Sequence, residues 1–200
     1  MRASFRTLGV VSVCLLSTPV LANSTGITGQ SGKDGATCNT CHSGGAAPTV
    51  EISGPTTLAP NATGQYTLII KGGAANVGGF NVAVDNTAAA LQAGAGVKKL
   101  GSELTHSEAK AFANGEARFD FSLVAPASGT VKIFGTGNSA NKDFNSTGDR
   151  SSATTLSVTV SGGTTPDEDE SKGCSATGGA PMLLLALASA TLTRLRRRQG

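Results

Sequence analysis

Apolar residues in the middle of the chain recur at every second position, the mark of strands with one face buried and one face wet. Val50 and Ile52 alternate in Thr49–Ser53, which Gly54-Pro55 ends. Tyr66, Leu68 and Ile70 alternate in Gln65–Lys71, ended by Gly72-Gly73. Phe80, Val82 and Val84 do the same in Gly79–Asp85. The clearest stretch is Glu116–Val124, where Ala117, Phe119, Phe121 and Leu123 share one face and Arg118, Asp120 and Ser122 the other; Pro126 stops it. Thr130–Phe134 carries Val131 and Ile133, and a last stretch carries Leu156, Val158 and Val160. Small residues and glycine blur the pattern between Ala89 and Leu100. Short strands separated by Gly, Pro and Asn turns predict an all-β fold, a two-sheet β-sandwich over residues 49–160. About 110 residues suffice for its core of Phe, Val, Ile and Leu.

Two connections are long for such a fold. Gly101–Asn114 contains His106 within Leu104-Thr105-His106-Ser107, and Gly137–Ser151 is dense in Asn, Ser and Asp. Connections of this length are functional or disordered, and side chains that satisfy their own turns favour an ordered excursion in the second.

The ends of the chain read differently. Residues 1–22 combine Arg2 and Arg6, an apolar stretch from Leu8 to Leu16, and Val20-Leu21-Ala22. That is a signal peptide cleaved after Ala22, with Cys14 an apolar residue of the discarded piece. Residues 161–172 form a linker with Asp167-Glu168-Asp169-Glu170, extended by self-repulsion. Residues 173–200 hold Gly173-Cys174, an apolar run from Ala180 to Leu192, and Arg194-Leu195-Arg196-Arg197-Arg198. The run is shorter than the roughly 20 residues of a comfortable span, and its arginines would stay cytoplasmic. It suits either a plain anchor helix or a processed sorting signal at Cys174.

Charge changes the picture only after it is divided. The net +3 comes from six terminal arginines, while residues 23–172 hold 10 Lys+Arg against 13 Asp+Glu. A mildly acidic body offers nucleic acid nothing. With 27 Gly, no Trp and 14% charged residues, the composition fits an exported β-rich protein with many turns.

Reactive chemistry concentrates in the Gly-rich segment 23–48, at Cys38-Asn39-Thr40-Cys41-His42. Two thiols at this spacing can each add to one vinyl group of a haem, leaving His42 as axial ligand of the iron, the arrangement of haem c. Export into an oxidising compartment requires these thiols to be paired or attached, so a structural Cys38–Cys41 disulfide is the alternative. Zinc needs four ligands, and only His106 is left to join Cys38, Cys41 and His42. Met1 and Met182 lie in the terminal segments, which leaves His106 as the second candidate axial ligand. No Ser-His-Asp order, glycine-rich phosphate loop or paired carboxylates point to an enzyme.

Cys174, the apolar run and the terminal arginines resemble the MYXO-CTERM class of sorting tails. That resemblance implies processing at the cysteine and display at the outer surface of a Gram-negative cell. Residues 24–160 resemble the choice-of-anchor V domain, through Gly26-Ile27-Thr28-Gly29-Gln30-Ser31-Gly32 leading into Cys38-x-x-Cys41-His42, then Thr105-His106, Ala125-Pro126, Gly137-Asn138-Ser139-Ala140-Asn141 and Ser146-Thr147-Gly148-Asp149. This family is similar to reelin-type and immunoglobulin-like sandwiches and implies a surface domain held by the tail in the outer membrane. The expectation is therefore an exported, anchored sandwich with one haem c, transferring electrons to a redox partner protein. A non-enzymatic adhesion or matrix-binding module with a Cys38–Cys41 disulfide stands beside it.

Overall fold

A computed structural model describes residues 24–162. The expected signal peptide with Ala22, most of the expected acidic linker, and the expected tail with Cys174 lie outside the described residues.

The described residues form twelve strands: β1 (Ser43–Gly44), β2 (Thr49–Ser53), β3 (Thr57–Leu58), β4 (Thr63–Lys71), β5 (Val77–Val84), β6 (Ala90–Ala93), β7 (Val97–Leu100), β8 (Glu103–His106), β9 (Lys110–Ala111), β10 (Glu116–Val124), β11 (Gly129–Ala140) and β12 (Thr147–Val160). A single 3-10 turn, Cys38–Thr40, precedes them. Strands β2-β4-β10-β6 make a four-stranded sheet. An eight-stranded sheet runs β1-β12-β11-β5-β8-β7, with β3 added on β12 and β9 on β5. The molecule is a two-sheet, all-β sandwich.

Alternation decides the core. Phe119 and Phe121 are each 1% exposed, whereas Arg118 and Asp120 between them face solvent. Phe119 stacks on Phe80 of the opposite sheet with ring centroids 4.4 Å apart, and Tyr66 stacks on Phe121 at 5.7 Å. Offset stacking adds about 0.5–1.5 kcal/mol beyond the area each ring buries. The blurred stretch after Ala89 resolves into β6 and β7, which lie in different sheets.

Both connections expected to be loops contain strands, two short ones in Gly101–Asn114 and most of Gly137–Ser151. His106 ends β8 rather than riding on a loop, and Gly137–Ser151 is the continuation of the β11–β12 ladder, from Gly137↔Ser152 to Ser139↔Arg150. Only the segment 141–146 turns. The physical reason lies in what each face meets. Inward, Gly135 and Gly137 stand where the Leu68, Ile52, Ile70 and Val50 side chains leave no room for a Cβ. Outward, Thr136 and Asn138 are buried although polar. A strand with glycine inside and polar residues outside gives no alternating apolar signal.

What buries that outer face is the N-terminal segment. Asn81 of β5 holds it, accepting from Gln30 N (3.2 Å) and donating to the Ile27 carbonyl (2.7 Å). Glu103 of β8 accepts from Gly29 N (2.6 Å) and Ser31 Oγ (3.4 Å). Gly26 is buried against β8, and a Cβ there would collide with Thr105 and the His106 carbonyl. The Gly26–Gly32 motif is thus a strap of backbone hydrogen bonds across the larger sheet.

Candidate functional site

The strap delivers Cys38, Cys41 and His42 to the outer face of the larger sheet. Thr37 caps the 3-10 turn by accepting from Asn39 N (3.3 Å). Asn39, between the two cysteines, then docks on β12 as a strand would, with Nδ2 donating to the Ser151 carbonyl (3.0 Å) and Oδ1 accepting from Ser151 N (2.9 Å). Beyond the turn, β1 pairs in parallel with β12, Ser43 against Thr147 and Gly44 against Asp149. Gly45 continues the approach, its N–H donating to the Asp149 carbonyl (3.1 Å), where a side chain would strike Gly148.

That pairing sets His42 beside Asp149. Nδ1 of the ring lies 2.8 Å from Asp149 Oδ2, and Asp149 is 1% exposed. The other carboxylate oxygen accepts from Asn141 N (2.8 Å). A histidine whose Nδ1 is held by a carboxylate has its orientation fixed and offers Nε2 as ligand. Sequence reasoning passed over Asp149 and Asn39. Asp149 belongs to a polar run that resembles any turn, and only the β1–β12 pairing gives it a role.

The two cysteines are free thiols, Cys38 partly buried and Cys41 exposed. Burial first, and the nearby Cys41 charge after it, push the Cys38 thiol from an ordinary 9.0 up to about 12. At neutral pH it is S–H.

All three residues line one cavity of about 420 Å³, and His106 lines it too. Its wall includes Val77 and Phe80 of β5, Ala111 of β9 and Ala140 of β11. Ile27 and Phe144 are the exposed large apolar side chains among the described residues, at 45% and 80%, and both line this cavity. Phe144 also stands at φ 65, a backbone region costly for a bulky residue. The Gly-, Ala- and Thr-rich surroundings of Cys38 could not cover a flat cofactor alone. The sheet face and the 141–146 turn supply the apolar surface instead.

His106 lines the cavity at the gap between β8 and β9, where neither pairs with Gly79 and Phe80 of β5. Its Nδ1 lies 3.1 Å from Phe80 N, the ring is tilted against Phe119 at 6.3 Å, and Gly79 leaves space for it. For zinc, the described residues contain no group of three or more His, Cys, Asp or Glu placed to hold a metal.

Fold and site together define a β-sandwich whose outer face, strapped by an N-terminal segment, carries a thiol–histidine cavity. No family model matches the chain, and no curated protein matches it. Among solved structures it is similar to the PKD domain of an M14-like peptidase from Thermoplasmatales archaeon SCGC AB-540-F20, at 15% identity and a TM-score of 0.37, covering 57% of this chain and 96% of that one.

Proposed function

We propose that the chain carries one haem c, attached through Cys38 and Cys41 with His42 as axial ligand, and serves in electron transfer. The observation that carries this reading is the cavity that gathers both thiols and His42 against an apolar wall, with Ile27 and Phe144 left uncovered at its edge. When bound, the haem would supply a one-electron couple. The chain's own residues do the rest. Cys38 and Cys41 would hold the group as thioethers, each by net addition of S–H to one vinyl group, which needs no oxidant, and His42 would ligate its iron. Cys38 is held in the S–H state by burial. Asp149 holds the His42 ring, and Asn39 fixes the turn between the two thiols on β12. Val77, Ala111, Ala140 and Phe144 give the cavity its apolar lining.

In this reading the protein sits at the outer surface of a Gram-negative cell, which the resemblance to the choice-of-anchor V family and to MYXO-CTERM tails supports. It would be held there by residues 173–200, where it meets a redox partner protein. Truncation before Ala180 should release the domain, and Cys174→Ala should block sorting but not simple spanning.

Intact mass and the pyridine haemochrome spectrum of the matured protein test the central claim. A mass gain of one haem with a thioether-type spectrum is expected. A loss of two hydrogens without haem means a disulfide and favours the adhesion module.

A further inference from the structure

The cavity lies between two surfaces, the sheet with Val77, Phe80 and Ala140, and the strap with Ile27, Cys38 and Cys41. Inside the strap the backbone bonds to itself. Ser31 bridges Thr37, Gly32 N donates to the Ala36 carbonyl (2.9 Å), and Thr40 N donates to the Thr37 carbonyl (2.9 Å). Across to the sheet, the bonds of Gly29, Gln30 and Asn39 each run through a side chain: Glu103, Asn81 and Asn39 itself on Ser151. A segment closed on itself and tied down by side chains is a separate piece resting on the sheet.

The seam beneath that piece concentrates the polar cost of the fold. Among the described residues, four buried side-chain oxygens have no hydrogen-bond partner: Gln30 Oε1, Thr136 Oγ1, Asn138 Oδ1 and Ser151 Oγ. Gln30 belongs to the strap. Asn138 and Ser151 stand opposite each other on β11 and β12, with Thr136 two positions along the same face. Gly32 marks the strap above Thr136, since a Cβ there would stand 3.7 Å from Thr136 Oγ1, and Asn39 docks on Ser151. None of the four lies on the inner face. Docking the strap seals these oxygens from water without giving them partners, which opposes docking. Local opening follows the seam where such opposition is gathered.

We infer that the strap is the lid of the cavity: residues 24–42 lift from the sheet as one unit while the sandwich stays folded, and the open form admits a ligand to the wall of β5. Cys38, Cys41 and His42 ride on the lid and are brought against Val77 and Phe80 as it closes. The contact of His42 Nδ1 with Asp149 Oδ2 (2.8 Å) is one of the bonds that latch it. The lid does not rest on the haem reading. Absence of haem in the haemochrome assay sinks that reading alone, and strap amides that open only with the whole fold sink the lid alone.

Native-state hydrogen exchange of the matured protein, followed amide by amide, is the test. Ser151 is the informative residue. It lies within the β11–β12 ladder, yet its N–H donates to Asn39 Oδ1 of the strap (2.9 Å). The amides of Gly29, Gln30 and Ser151 should share one opening, about 100-fold or more frequent than the opening of the β10 amides. Dilute denaturant should hardly change it, because lifting the strap exposes little surface. Asn39→Ala, which removes a bond to neither Gly29 nor Gln30, should speed exchange at both about tenfold, the scale of one lost hydrogen bond. Exchange at Ser151 as slow as in β10 overturns the inference. Unchanged exchange at Gly29 and Gln30 in Asn39→Ala overturns it too, because the strap would then open piece by piece.

Discussion

The larger sheet has two buried faces built on opposite terms. Its inner face packs Phe80, Val82, Leu104, Val131 and Ile133 against the small sheet, where the Tyr66 hydroxyl is the polar group and donates to the Pro55 carbonyl (2.9 Å). Its outer face buries Asn81, Glu103, Thr136, Asn138, Asp149 and Ser151 beneath the strap and the β1 edge. The inner face is held by the hydrophobic effect, non-directional and tolerant of detail. The outer face is held by directional bonds, each of which specifies where one backbone group must lie. Stability resides in the first and the position of the cavity in the second.

The comparison breaks most visibly at Phe119. Phe119→Ala should cost about 3–5 kcal/mol in chemical denaturation, as for other buried phenylalanines. A cost near that of an exposed residue would mean the inner face is not the source of stability.

Asp149→Ala comes next. It removes the acceptor of His42 Nδ1 and of Asn141 N, two bonds to one buried carboxylate. A loss of about 1.5–3 kcal/mol is expected. Haem attachment or His42 ligation should suffer more than the far sheet, which hydrogen exchange of β4 and β10 can verify.

His106→Ala should cost about 1–3 kcal/mol, because it leaves the buried Phe80 N–H without its His106 acceptor. Faster exchange of that one amide, with the rest of β5 unchanged, is the signature to look for.

Smaller still is the effect of pH through Cys38. In protein free of haem and kept reduced, the folded thiol ionises near 12 and the unfolded one near 9.0. The fold therefore binds the proton more tightly. Its contribution is fully present below pH 9 and is lost as pH rises through about 12. Cys38→Ala should flatten stability over that window. At pH 8, iodoacetamide should label the exposed Cys41 well before Cys38; equal rates would contradict the burial.

The smallest change expected is at Arg118, whose guanidinium lies 2.8 Å from Glu116 on the wet face of β10. Exposed pairs contribute little, so Arg118→Ala should leave the denaturation midpoint nearly where it was.

Much of this molecule could be read from its residues in order. Glu116–Val124 is predicted to the residue, because its alternation reports a face packed on core and a face in water. Thr49–Ser53 is equally clear. The thiols and His42 are legible too, since their spacing carries a chemical meaning before folding. Polar residues gave no such signal. Nothing about Asn39, Asn81, Glu103, Asn138 or Asp149 as isolated letters separates a solvated turn from a buried bond. Their roles exist only once a strap from the N-terminus crosses strands more than fifty residues away, as Gln30 does to Asn81. Hydrophobic periodicity is a local property, set by how a single strand meets a boundary between oil and water. A directional bond needs both partners in place, and only the tertiary structure brings them together.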